Sequence, residues 1–159
     1  RDYQRSRGLG DVYKRQATRY IFKYPELFGT VASGGASYAI ERLIKENNGF
    51  EDDPRDRDEG IYFVGLDNDA WSLAKKHQES GKETPRLLLW SGTEDPNLPS
   101  IKEYKTYLDE LKIDNEFLLA EEVDHNPFIF YEKLGHNLMN FHYGETDYVH
   151  QTADSIILI

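Results

Sequence analysis

Apolar residues in this chain fall into two patterns that alternate: short unbroken runs, and longer stretches with helical spacing. The strongest run is Arg86-Leu-Leu-Leu-Trp-Ser91, which reads as a strand buried on both faces of a parallel sheet. Glu116-Phe-Leu-Leu-Ala120 predicts a second strand, and Phe28-Gly-Thr-Val-Ala-Ser33, closed by Gly34-Gly35, predicts a third. Between the runs the period changes. Asp69 is placed to cap a helix through about Gln78, with Ala70, Leu73 and Ala74 on one face and Gly81 as its stop. Ile101, Tyr104, Leu108 and Leu111 mark the stripe of a further helix, for which Ser100 is the expected cap. Pro127 opens a last helix through about Leu138, with Phe128, Tyr131 and Leu134 at helical spacing. At the front, residues 17–24 suit the final turns of a buried helix that Pro25 ends. Residues 45–60 form a polar surface excursion, and Ile61-Tyr-Phe-Val64 is either another strand or an extended cap segment. Helix, strand, helix, strand, helix, strand, helix is the order of an α/β fold with a parallel sheet.

Composition narrows the functional classes. Hydrophobic residues make up 38% and aromatics 13%, enough for a packed core despite 30% charged residues. At 159 residues there is room for one compact domain. A formal charge of −10 argues against a nucleic-acid partner, because phosphate binding needs a basic patch. The absence of cysteine excludes disulfides and thiolate metal sites. No apolar run reaches the length of a membrane span. The acidic residues Asp52, Asp53, Asp56, Asp58 and Glu59 lack the ligand spacing and glycine of a calcium loop, and Pro54 interrupts them.

The charge is unevenly spread. Residues 1–15 carry five Lys/Arg against two Asp, which leaves −13 for the rest. The string Gly8-Leu-Gly-Asp-Val-Tyr-Lys-Arg-Gln16 resembles translated sequencing-adapter tails found at the ends of reading frames in metagenome assemblies. Residues 1–16 are therefore expected to be a non-native tail, 17–144 a partial domain, and 145–159 an unplaced tail, polar with a short apolar end at 156–159.

Two acid/base candidates follow strands, where open α/β sheets gather their ligands. Asp95 lies in Ser91-Gly-Thr-Glu-Asp-Pro-Asn-Leu98, and His125 lies in Glu121-Glu-Val-Asp-His-Asn-Pro127. One helix and one strand separate them, so both loops are expected on neighbouring strands at the same edge. There a carboxylate can accept the Nδ1 proton of the imidazole, fixing its tautomer for acyl transfer. By residue type, the other histidines read as bystanders. His77 is expected to be exposed, and the spacing of His136 and His142 does not put two ligands on one helix face. Trp90 is assigned to the core, and Trp71 to a cleft or cap. Glu122 and Asp124 are expected to be surface acids. Gly92-Thr-Glu-Asp95 is not the glycine-rich phosphate loop a nucleotide-binding domain requires.

Three segments together resemble the esterase D-like family of α/β hydrolases, a group that includes S-formylglutathione hydrolases and feruloyl, acetylxylan and enterochelin esterases. They are Tyr24-Pro-Glu-Leu-Phe-Gly-Thr-Val-Ala-Ser-Gly-Gly35, the acid loop Gly92-Thr-Glu-Asp95, and the histidine loop His125-Asn-Pro-Phe-Ile-Phe-Tyr131. The resemblance implies the carboxy-terminal part of an α/β-hydrolase fold, with the amino-terminal half missing. It implies a serine carboxylic-ester hydrolase acting on small-molecule or carbohydrate-linked esters, with Asp95 and His125 as catalytic residues and no metal or organic cofactor. It also exposes a departure. The family's Gly-x-Ser-x-Gly nucleophile elbow belongs just before Ala17, and no such motif stands there. Asp11 falls near the place, but Tyr13 sits where the elbow needs glycine; Ser33 lacks the preceding Gly-x. The chain alone is therefore expected to be inactive, and the alternative is a truncated or ligand-binding relative without catalysis.

Overall fold

The computed structural model describes residues 16–38, 68–144 and 156–158. The adapter-like string up to residue 15, the polar and acidic run at 45–60, the segment 61–64 and the start of the tail lie outside the described residues. A helix (α1) covers 16–23, so Gln16, expected in the tail, belongs to it. Pro25 ends α1 and opens a single tight turn, Pro25–Leu27, leading to strand β1, Thr30–Gly34. Helix α2 spans Ala70–Ser80. The Asp69 carboxylate accepts the backbone N–H of Ser72 at its start, and Gly81, at φ 66°, closes it in the left-handed conformation that glycine adopts without strain. Strand β2 is Arg86–Gly92, helix α3 Leu98–Glu110, strand β3 Glu116–Ala120 and helix α4 Pro127–Tyr143. Strand β4, Ile156–Leu158, comes last.

The sheet order is β1-β2-β3-β4, parallel across the first three strands and antiparallel between β3 and β4. Thr30 stands opposite Arg86, Gly34 opposite Trp90, and Gly92 opposite Ala120. Alternation along buried strands then sends side chains to two cores. On one face Val31, Leu87, Leu89, Phe117 and Leu119 join residues of α1, α2 and α3, among them Ile21, Leu73, Tyr104 and Leu108. On the other face Leu88, Trp90, Leu118 and Ala120 meet Phe130, Leu134, Leu138 and Phe141 of α4. Each fully buried leucine or phenylalanine contributes about 2 kcal/mol of transfer free energy. Much of the aromatic content goes into these cores. Tyr38 stacks on Tyr104 with ring centroids 4.0 Å apart, and Trp90 stacks on Phe130 at the same distance.

Three expectations need correction. Helix α3 begins at Leu98, ahead of Ser100, so Ser100 lies in its first turn and not at its cap. Helix α4 runs five residues past Leu138 because Phe141 continues the buried stripe, and it stops where Gly144 turns left-handed at φ 80°. Trp71, expected in a cleft or cap, is buried among the described residues: it is 8% exposed, and its indole N–H donates to the Tyr38 carbonyl at 3.0 Å.

Candidate active site

The two loops that follow β2 and β3 are joined backbone to backbone. The N–H of Thr93 donates to the Ala120 carbonyl at 2.9 Å, and that of Glu94 to the Val123 carbonyl at 3.0 Å. In return the Thr93 hydroxyl accepts the N–H of Glu122 at 2.9 Å. Gly92 makes this approach possible, since a Cβ there would lie 1.9 Å from the Val123 carbonyl oxygen. Glu122 holds φ at 55°, a conformation uncommon for a non-glycine residue, and this turns the chain towards the histidine. Asn126 then caps α4 through its side-chain oxygen, which accepts from Phe128 and Ile129, and Pro127 takes the first turn. Stacking of Phe130 on Trp90 anchors that turn on the sheet.

This scaffold brings Asp95 and His125 together. The imidazole Nδ1 lies 3.0 Å from each carboxylate oxygen of Asp95. The carboxylate side chain is 3% exposed, whereas the imidazole is 34% exposed. An N–H at Nδ1 donating to an ionised carboxylate makes a charge-assisted bond, roughly twice as strong as a neutral one. It also leaves the other ring nitrogen as the basic one. The backbone N–H of Asn97 donates to Asp95 Oδ1 at 2.8 Å, holding the carboxylate rotamer. A shallow pocket beside the pair is lined by Trp90 and Phe130 together with Gly35, Asp124 and Asn126.

Solved structures with this arrangement of elements were found by comparison. S-formylglutathione hydrolase FrmB from Staphylococcus aureus matches with a TM-score of 0.59 at 14% identity, over 79% of this chain and 46% of that one. FphF, a fluorophosphonate-binding serine hydrolase of Staphylococcus aureus, matches at 0.62 and 15% identity, over 79% and 49%. A ferulic acid esterase matches at 0.57 and 15% identity, over 82% and 48%. The chain has part of the α/β-hydrolase fold. It spans about half the length of these solved structures. No protein-family model and no curated protein sequence matches it.

Within this α/β-hydrolase fold the remaining candidates fall into place. Ser33 is 3% exposed, and its hydroxyl pairs with the Tyr38 hydroxyl at 3.1 Å, on the sheet face that packs against α1 and α3. Gly35-Ala36-Ser37-Tyr38-Ala39 follows a strand in the manner of an elbow, a likeness the sequence reading passed over. However, Ser37 is not among the described residues with the positive φ that a strained elbow gives its nucleophile. His77, expected to be exposed, is 3% exposed. Its ring packs on Phe22, and Nε2 pairs with the Thr84 hydroxyl at 2.9 Å. Burial is the main force holding its pKa below the usual histidine value, and the Lys82 charge adds to the effect. His142 is exposed on α4, with Nδ1 2.7 Å from the Thr30 hydroxyl at the opposite end of β1 from the acid loop; His136 is exposed on the same helix. Asp124 and Glu122 are exposed, as expected. Asn97 went unnoticed because a polar loop residue carries no periodic signal. Among the described residues no helix is long and apolar enough to cross a membrane, and no three ligating side chains converge on a metal site.

Proposed function

We propose that this chain carries the acid and the base of a serine carboxylic-ester hydrolase acting on small-molecule or carbohydrate-linked esters. The observation behind this reading is the 3.0 Å approach of His125 Nδ1 to both oxygens of a buried Asp95, at the carboxyl ends of adjacent parallel strands. In the reaction a serine hydroxyl attacks the ester carbonyl, and His125 takes its proton. As the tetrahedral intermediate collapses, His125 returns that proton to the leaving alcohol, giving an acyl-enzyme that water then releases by the same route. Asp95 keeps the proton on Nδ1 and stabilises the imidazolium. The nucleophile belongs on a Gly-x-Ser-x-Gly elbow ahead of Ala17, which this sequence does not contain.

A second reading, a non-catalytic truncated or ligand-binding relative, draws support from the serines the chain does have. Ser33 is buried against Tyr38, and Ser37 is not among the described residues with positive φ. Hydrolysis of small aryl esters separates the two. The chain as written should show no activity above background. A full-length parent that supplies the amino-terminal half, with Gly-x-Ser-x-Gly ahead of Ala17, should hydrolyse them and lose a factor on the order of 10⁴–10⁶ on His125→Ala, because the members of a triad act as a unit. A full-length parent that is inert, or indifferent to His125→Ala, would leave the non-catalytic reading standing.

A further inference from the structure

Asparagine is among the best helix N-caps, accepting a backbone N–H through its side-chain oxygen. Asn97 occupies the N-cap position of α3, yet its side chain makes no capping bond. The amide instead reaches back across the site: Nδ2 donates to the Gly35 carbonyl at 3.1 Å and lies 3.4 Å from His125 Nδ1. Gly35, held at φ 61° just past β1, donates its own N–H to the Trp90 carbonyl at 3.1 Å. A continuous chain of hydrogen bonds therefore runs from the end of β2 through Gly35 and Asn97 to Asp95 and the imidazole.

We propose that Asn97 is a positioning residue of the Asp95–His125 pair, clamping the acid loop to the turn after β1 so that the carboxylate stays aligned with Nδ1. The inference rests on the reading of that pair as the acid and base of an ester hydrolase. The clamp acts through Gly35 and the backbone, not through the imidazole. With a proton on Nδ1, the amide hydrogens and the ring N–H are both donors, and at 3.4 Å the contact is weaker than the two 3.0 Å contacts to the carboxylate. Rotating the amide by half a turn would set its oxygen against the Gly35 carbonyl oxygen, so the bond to Gly35 fixes the orientation. Loss of the side chain leaves the Asn97 N–H in place but frees the loop that carries it.

Nitrogen-15 spectra of the histidine side chains in the full chain test this, recorded under alkaline conditions in which further rise of pH no longer changes them. In the unaltered chain His125 should be mainly the Nδ1–H tautomer. Asn97→Ala and Asn97→Leu should each lower the Nδ1–H to Nε2–H ratio by about three- to tenfold, the effect of one hydrogen bond of ordinary net strength. Asn97→Gln, which keeps an amide donor, should recover part of it. A ratio within twofold of the unaltered chain in both Asn97→Ala and Asn97→Leu would overturn the proposal. Should Asn97→Ala disturb backbone amide signals beyond the loop, the Gln and Leu variants decide: equal ratios overturn the clamp, and a higher ratio in Gln supports it. Asp95→Asn separates this from the reading beneath it. If Asp95→Asn leaves the tautomer unchanged, the pairing itself fails; if it inverts the tautomer while the Asn97 variants do nothing, the clamp alone fails.

Discussion

Two histidines of this chain, His77 and His125, have opposite surroundings, and the contrast explains what makes one of them a chemical candidate. His77 is buried on α2 beneath Phe22, and its ring partner is the neutral hydroxyl of Thr84. Burial without a countercharge disfavours the protonated ring, so its pKa is lowered and it serves as a neutral core residue. His125 reverses both conditions. Its ring is partly exposed, and the buried member of the pair is the carboxylate behind it. A histidine that must accept and release protons needs solvent or substrate on one side and a fixed charge on the other, and only the second site supplies both.

The sharpest way to break this contrast is through Asp95. In the full-length parent, Asp95→Asn keeps the shape but offers an amide to Nδ1, and kcat should fall by about 10⁴-fold through the wrong tautomer. His77→Gln in the same background should leave kcat within twofold, and a comparable loss there would erase the distinction. Next in size is Gly92→Ala, which pushes a Cβ against the Val123 carbonyl and should cost about 3 kcal/mol in urea unfolding. Gly29→Ala, with open space around the new atom, serves as the control and should change stability little. The third effect concerns pH. Because the native pKa of His77 is lowered, the unfolded chain binds the proton first as pH falls. Stability from this group is fully present above about pH 6.5, declines below it, and levels off under the depressed native value. Urea midpoints at several pH values should show that decline, and His77→Gln should flatten it. Smallest is Asp69→Ala at the start of α2, expected to lower stability by about 1 kcal/mol through the lost bond to the Ser72 N–H.

The sequence revealed most where one physical signal dominated. The runs 86–91 and 116–120 read as strands because unbroken apolar stretches of that length fit buried parallel sheet, and Asp69 with Gly81 bracketed α2 almost to the residue. Asp95 and His125 could be named from their place after strands and from the resemblance of their loops; their approach is a property of the register between β2 and β3, which no local pattern encodes. The burial of His77 is encoded by its position and not by its residue type. It continues the stripe of Ala70, Leu73 and Ala74 at helical spacing. Strand β4 could not be placed from a short apolar end, since three residues become a strand only when β3 offers an edge.

The interlocked backbone of the acid and histidine loops has a dynamic consequence. Hydrogen bonds from Thr93 and Glu94 into β3 and its loop, with the reverse bond from Glu122, tie the backbones of the two loops together. With Asn97 also holding the first loop to Gly35, Asp95 and His125 are expected to move together. Opening or closing of the site would then carry groups towards or away from the pair and would not draw the carboxylate off the imidazole.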